Sequence, residues 1–273
     1  MKIVNLIENT PGVAGCAYEH GLSFYIETEK HKILVDTGAS DKFLENARIL
    51  GIDLKQVDSV FLSHGHYDHS GGLLAFAQIN PQAKIYMQKT ATGAYYHAYD
   101  TGDKYIGIDS QIAVLPQVIY IEENQKLDEE LVIFSNVTGR LVWPKGNREL
   151  VEKTAQGNVQ DSFRHEQYLV ISQGGKKYLL SGCAHNGVLN ILEKYQELYQ
   201  EEPDVMISGF HMMKKSGYDE QDIAMMKETA KRLLVTKTKF YTGHCTGEHP
   251  FAVMKEILGE KLQYCHSGDE IFT

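Results

Sequence analysis

Cysteine is scarce in this chain, and the few present do not pair. The four cysteines among 273 residues, Cys16, Cys183, Cys245 and Cys265, form no Cys-x-x-Cys motif. Such sparse use excludes a disulfide framework as the device that holds the fold. Basic charge is also short. Lys plus Arg number 27 against 36 Asp plus Glu, a net charge of −9, which excludes bulk attraction to nucleic acid or to an anionic membrane. No apolar run approaches the ~20 residues that a membrane span needs. The opening Met1–Glu8 meets charge too early for a secretory leader. A reduced, cytoplasmic setting and a small-molecule partner are the expectation. The apolar fraction of 42% is ample for a large core, and neither a repeat nor a linker divides the chain. One domain over residues 1–273 is expected.

Histidine is where the chain is rich. Three of its twelve histidines and one carboxylate fall within Ser63-His64-Gly65-His66-Tyr67-Asp68-His69-Ser70-Gly71-Gly72. The β-type run Val60-Phe61-Leu62 precedes this stretch and the helix-like Leu73-Leu74-Ala75-Phe76-Ala77 follows it, so it reads as a loop leaving a strand and entering a helix. Residues two apart in an extended segment point the same way, which lets His64 and His66 present two imidazoles to one metal. Asp68 and His69 follow where the chain turns and point to a second ion. Gly65 removes bulk between the first two ligands, and Gly71 and Gly72 allow close backbone approach and positive φ. Imidazole and carboxylate donors suit zinc, manganese or iron.

His64-Gly65-His66-Tyr67-Asp68-His69 resembles the HxHxDH signature of the metallo-β-lactamase superfamily. Three further marks stand in the expected order: Asp36 in Leu34-Val35-Asp36-Thr37-Gly38, His185 in Ser181-Gly182-Cys183-Ala184-His185, and His244 in Thr242-Gly243-His244-Cys245-Thr246-Gly247. Gly182–His185, Gly209-Phe210-His211 and Gly243–Gly247 resemble one branch, that of dihydropterin-ribofuranosylaminobenzene phosphate synthase-like proteins and metal-dependent hydrolases. The resemblance implies a four-layer αββα sandwich of α/β class. It implies two divalent metals, zinc foremost, with manganese or iron as alternatives. His64, His66 and His185 would hold the first, and Asp68, His69 and His244 the second. Asp36 would orient ligands from behind. In the better-known hydrolases of the superfamily an Asp bridges the two metals; here the corresponding strand ends in Gly209-Phe210-His211. His211 then either ligates in its place or acts on substrate as an acid or base. Asp68 is the second candidate for proton transfer, taking the proton of the attacking water.

The remaining chain alternates strand and helix, as α/β architecture requires. Strands are expected at 2–7, 22–28, 32–36, 57–62, 83–87, 114–122, 131–135, 168–172, 177–180, 204–208, 239–242, 262–265 and 269–272. Helices are expected after Asp41 as N-cap, at 73–79, from 188, at 218–234 and from Pro250 to Gly259. Residues 88–165 fit the pattern least and read as an insertion or lid. Within them Tyr95, Arg140 and Trp143 are candidate substrate contacts, the aromatics for a flat ligand and the arginine for an anionic group. Against such aromatics stands ordinary packing, and against Arg140 a surface role. His165 is not expected to be a ligand, and Cys245 reads as a buried small residue. The reaction expected is hydrolysis of a phosphoester, ester or lactone of a small, phosphorylated or pterin-like substrate. A non-catalytic metal or ligand sensor and an iron-dependent oxidoreductase are the alternatives. His66 favours hydrolysis over the latter, because the superfamily's diiron proteins carry Glu there.

Overall fold

The computed structural model describes residues 1–272. The first half runs β1 (Lys2–Ile7), β2 (Ser23–Glu27), β3 (Lys32–Val35), α1 (Lys42–Ile49), β4 (Ser59–Phe61), α2 (Tyr67–Ser70), α3 (Leu73–Ile79), β5 (Lys84–Gln88), β6 (Tyr95–His97), β7 (Lys104–Tyr105), β8 (Val118–Ile121), β9 (Gln125–Lys126) and β10 (Leu131–Phe134). The second runs β11 (Leu150–Thr154), β12 (Gly157–Gln160), β13 (Tyr168–Gln173), β14 (Lys176–Leu180), α4 (Val188–Tyr199), β15 (Val205–Ile207), α5 (Glu220–Leu234), β16 (Lys239–Thr242), α6 (Glu248–Leu258), β17 (Leu262–Tyr264) and β18 (Glu270–Ile271).

Two seven-stranded sheets carry the fold, in the orders β18-β1-β2-β3-β4-β5-β8 and β17-β16-β15-β14-β13-β10-β9. Their strands are apolar on both faces, so each face needs a cover. Along β2 and β3, Phe24, Ile26, Ile33 and Val35 join a core shared with Leu169, Ile171, Tyr178 and Leu180 of the other sheet. The alternate residues Tyr25 and Leu34 pack instead with Phe43 of α1 and with Leu73 and Phe76 of α3. On the far side Val170 and Leu179 pack against Ile191 of α4, Met226 of α5 and Met254 of α6. Three apolar layers therefore separate four structural layers, helix–sheet–sheet–helix, as the sequence resemblance implies. The segment expected to be least regular holds a third sheet of four strands, β12-β11-β6-β7, with its own small core of Tyr95, Ile106, Leu150 and Phe163.

Strands β3, β4 and β5 run parallel, as do β14, β15, β16 and β17. Their carboxyl ends therefore meet at one edge of the sandwich, the usual place for a site in such sheets. Four non-glycine residues there have left-handed backbone: Asp36 after β3 (φ 61°), Ala184 after β14 (φ 54°), His211 after β15 (φ 48°) and His244 after β16 (φ 49°). Such residues cost of order 1 kcal/mol or more apiece, and here they turn the chain sharply at the edge where the sheets end.

Several local expectations shift. Asp41 holds the cap position of α1 without a side-chain cap bond; Asp219 supplies the full capping box, at α5. Pro250 is the third residue of α6, not the first, tolerated because that N–H lacks a helical partner anyway. Gly71 and Gly72 keep right-handed backbone, φ −62° and −85°, so their role is steric. A Cβ on Gly71 would collide with the Ala39 carbonyl, and one on Gly72 with the Phe43 ring and the Thr37 carbonyl. Gly71→Ala should therefore lower stability by about 1–3 kcal/mol in a denaturant titration, although Ala is the better helix former.

Candidate metal centre

The strand ends bring His64, His66, His69, His185 and His244 together, each no more than 4% exposed. Their tautomers follow from the atoms behind them. The Ser63 hydroxyl donates to Asp36 Oδ2 (2.7 Å), so it can only accept from His64 Nδ1 (2.8 Å). His69 Nδ1 donates to Asp36 Oδ2 (2.6 Å). The amide oxygen of Asn147 accepts from His185 Nδ1 (2.9 Å), and that of Asn9 from His244 Nδ1 (2.8 Å). His64, His69, His185 and His244 thus each donate from Nδ1 and aim Nε2 inward.

The inward atoms are close. His64 and His185 Nε2 lie 3.3 Å apart, and His69 and His244 Nε2 lie 3.2 Å apart. Between neutral rings, as in the His64–His185 pair, two lone pairs at that range repel unless a cation lies between them. Two imidazoles on one tetrahedral zinc, at ~2.05 Å each, subtend ~3.3 Å. His66 Nε2 is buried and has no hydrogen-bond partner, and its ring sits 4.6 Å from that of His64 and 4.9 Å from that of His185. The donor chemistry and spacing therefore fit divalent metals.

Charge agrees. Burial, with the adjoining imidazoles, pushes His64 and His185 well below the ordinary histidine value. Burial and His165 take His66 down to about 3. All three rings are neutral at physiological pH, the state in which an imidazole can ligate a metal. Burial opposes charge on His69 as well, but Asp36 and Asp68 outweigh it and raise that ring to about 9. Burial raises the Asp68 carboxyl, while His69, His20 and His244 outweigh it and hold it well below the carboxylate range. Asp68 Oδ2 lies 3.2 Å from His20 Nε2, 3.4 Å from His244 Nε2 and 3.9 Å from His69 Nε2. It is thus an anion beside the second pair.

Asp36 lies directly behind the centre, as the sequence implies. It accepts from the Ser63 N–H (2.7 Å), the Ser63 hydroxyl (2.7 Å) and His69. His211 sits at the rim, its ring 4.2 Å from that of His185, its Nδ1 buried and unpartnered. It groups with Cys183 and Cys245 rather than between the two imidazole pairs. His165 is engaged on both nitrogens: Nδ1 accepts from the Gly65 N–H (3.0 Å) and Nε2 pairs with Asp161 (3.0 Å). That leaves it no donor atom for a metal, and its work is to hold the loop between His64 and His66.

A cleft of about 210 Å³ opens over the centre, and His20, Tyr67, His97, Tyr99, Lys104 and Lys215 are among its walls. Tyr95, Arg140 and Trp143 do not line it. The Tyr95 hydroxyl donates to the Thr90 carbonyl (2.5 Å) and its ring packs, tilted by 40°, against that of His165 (4.1 Å). Arg140 binds the Gly139 and Ser162 carbonyls and Asn186, and lies over the Trp143 ring (5.3 Å). Sequence reasoning missed Asn9, Asn147, His20 and Cys183. The asparagines leave no local signal. Cys183 did, standing two residues before His185.

Comparison with known proteins came to the same place. The sequence model of the Metallo-beta-lactamase superfamily matches residues 18–151. The chain is 27% identical over 294 aligned residues to 7,8-dihydropterin-6-methyl-4-(beta-D-ribofuranosyl)-aminobenzene-5'-phosphate synthase of Methanocaldococcus jannaschii, covering 98% of this chain and 95% of that protein. The solved structure of Tm1679, described as a metal-dependent hydrolase of the beta-lactamase superfamily, superposes with a TM-score of 0.82 at 28% identity, covering 100% of this chain and 99% of that one. Zn(2+)-bound PqqB from Methylobacterium extorquens shares the fold alone, with a TM-score of 0.57 at 13% identity over the full length of both chains.

Removing the acceptors behind the imidazoles should loosen the centre without unfolding it. Asn147→Ala is expected to weaken metal affinity roughly 10–100-fold, read by competition with a chromophoric chelator, while the far-ultraviolet dichroism stays unchanged. Asp36→Asn should weaken it further, because Asp36 orients two of the rings. Unchanged affinity in both variants would remove these residues from the centre.

Proposed function

The chain belongs to the metallo-β-lactamase superfamily, and from that premise we propose that it is a metal-dependent hydrolase acting on a phosphoester, ester or lactone of a small anionic substrate. The observation that carries this reading is the convergence of buried Nε2 atoms in two pairs 3.3 and 3.2 Å apart. Zinc is the proposed metal, at two ions per chain. When bound, such ions supply nucleophilic water at neutral pH and polarise the electrophilic oxygen.

The chain's own residues do the rest. His64, His66 and His185 hold the first cation, and Asp68, His69 and His244 the second. Asp68, ionised and at the floor of the cleft, accepts the proton of the attacking water. His20, 3.2 Å from Asp68 and half out in solvent, carries that proton onward; its own affinity for a proton is raised by the Asp68 hydrogen bond. Lys104 and Lys215 place two cations on the cleft wall, and the stacked His97–Tyr99 pair, 3.9 Å between centroids, offers a flat surface. These features support a substrate that carries phosphate and an aromatic ring, the chemistry in the printed name of the archaeal relative.

That relative's activity is a synthase, which supports a second reading: a bond-forming reaction between two substrates in the same cleft. One experiment separates the two. Metal content per chain is measured on protein purified without added metal or chelator, and turnover is followed on phosphomonoesters, phosphodiesters and lactones. Two zinc ions with cleavage, both lost in His64→Ala, is the expected result. Turnover only when a pterin and an aminobenzene phosphate are supplied together would favour the synthase. Full metal loading with turnover on neither panel would overturn catalysis and leave a binding protein. In the active protein, Lys104→Ala with Lys215→Ala should raise KM for a phosphorylated substrate about tenfold with kcat little changed, because such contacts are made equally in ground and transition states.

A further inference from the structure

Both imidazole pairs adjoin one sulfur atom. Cys183 Sγ groups with His64 and His185 Nε2 on one side and with His69 and His244 Nε2 on the other, all donor atoms in each group lying within 4.8 Å of one another. It lies 3.2 Å from His69 Nε2. Sulfur and nitrogen bound to one tetrahedral zinc at ~2.3 and ~2.05 Å subtend ~3.6 Å, so this edge needs only a small opening to admit a cation. Cys183 is 3% exposed and stands at the end of β14, two residues before His185.

The centre needs an anion at that point. Two divalent cations bring four positive charges into a buried site whose first three imidazoles are neutral. Asp68 serves only the second pair, alongside His20 and His244. A neutral imidazole nitrogen has one lone pair and cannot serve two cations; a thiolate has three and a full negative charge. Nor is there room for a carboxylate from the next strand. The residue after Ser208 is Gly209, and a Cβ there would collide with Cys245 Sγ. Cys245 stands further out: its Sγ groups with Cys183 and His211, where Cys183 groups with each imidazole pair, and it accepts from the His211 N–H (3.3 Å). The buried, unpartnered His66 Nε2 points independently to a cation on the first side.

We infer that Cys183, as thiolate, is the donor shared by the two cations, in place of the carboxylate that this chain does not supply. The inference rests on the metal-dependent reading above. The Cys183 proton leaves to solvent as the cations enter; two cation–sulfur bonds form for the one S–H bond lost. A shared thiolate also sets the choice of metal, because sulfur favours zinc, cobalt or iron(II) over magnesium and manganese.

Cobalt(II) reports the bond directly, since thiolate ligation gives a near-ultraviolet charge-transfer band that imidazole and carboxylate do not. The metal-free full chain is titrated with cobalt under reducing conditions. The band is expected to appear with the first equivalent and to keep growing through the second. Cys183→Ser should abolish the band and weaken the second equivalent roughly 10–100-fold, whereas Cys245→Ser should keep the band. Cys183→Asp should restore two equivalents without the band, which separates a lost bridge from a lost fold. Two bound cobalt ions without a band would overturn the bridge and leave the metal-dependent reading standing. A band that saturates at one equivalent, or one lost in Cys245→Ser instead, would also overturn it. A chain that binds no cobalt would overturn both.

Discussion

The architecture of the centre depends on one constraint: His64, His69, His185 and His244 must each have Nδ1 tied down from behind, so that Nε2 is the face turned inward. Four acceptors impose this. Asp36 follows β3, Ser63 follows β4, Asn9 follows β1, and Asn147 comes from the segment just before β11 of the third sheet. The imidazoles come from the ends of both main sheets, and three of the four acceptors from strand ends of the first, so the centre closes only when the sandwich has formed. The shared apolar layer that joins Phe24 and Val35 to Leu169 and Leu180 fixes the distances between the two imidazole pairs. Packing of ordinary core residues thereby becomes metal geometry.

The third sheet adds what the sandwich lacks. It carries no direct donor, yet it shapes the centre from one side. The Tyr67 N–H donates to the Ile106 carbonyl (2.9 Å), which pins the first turn after His66. Of its small core, Tyr95 packs tilted against His165 and Phe163 stacks on His185, with ring planes 1° apart at 4.5 Å. Packing of Phe163 withholds water from His185 and contributes the burial that lowers its proton affinity. The same sheet supplies His97, Tyr99 and Lys104 to the cleft. One element thus both dries the donors and builds the wall that substrate meets.

The sandwich and the HxHxDH loop were legible in the sequence because their signals are local. Alternating apolar strands, glycine punctuation and three histidines in six residues need no tertiary knowledge. Asp36, His185 and His244 were legible through the family resemblance, each standing just after a readable strand. Asn9 and Asn147 were not: their partners lie 235 and 38 residues away, and an asparagine in a polar stretch looks like any other. Tyr95, Arg140 and Trp143 went astray for a related reason. Residue type names what a side chain can do, but the carbonyls that capture the Tyr95 hydroxyl and the Arg140 guanidinium are set by the third sheet. Cys183 differs. The two-residue spacing that singled out His64 and His66 applies equally to Cys183 and His185, and a reading confined to imidazole and carboxylate passed over it.

Backbone strain completes the picture. Asp36, Ala184, His211 and His244 all adopt left-handed conformations at one edge of the molecule. At roughly 1–2 kcal/mol each their sum, about 4–8 kcal/mol, approaches the whole net stability of an ordinary domain, about 5–15 kcal/mol. A glycine at any of these places would relieve that strain, but at Asp36 and His244 it would delete a side chain that the centre uses. At Ala184 the left-handed turn sits between Cys183 and His185, so the strain is spent at the junction where a sulfur and an imidazole enter the same space. Strain there persists because the two sheets over-determine the strand ends on either side. The chain gives up stability at the four turns where side-chain direction decides what the centre can hold, and recovers it in the three apolar layers beneath.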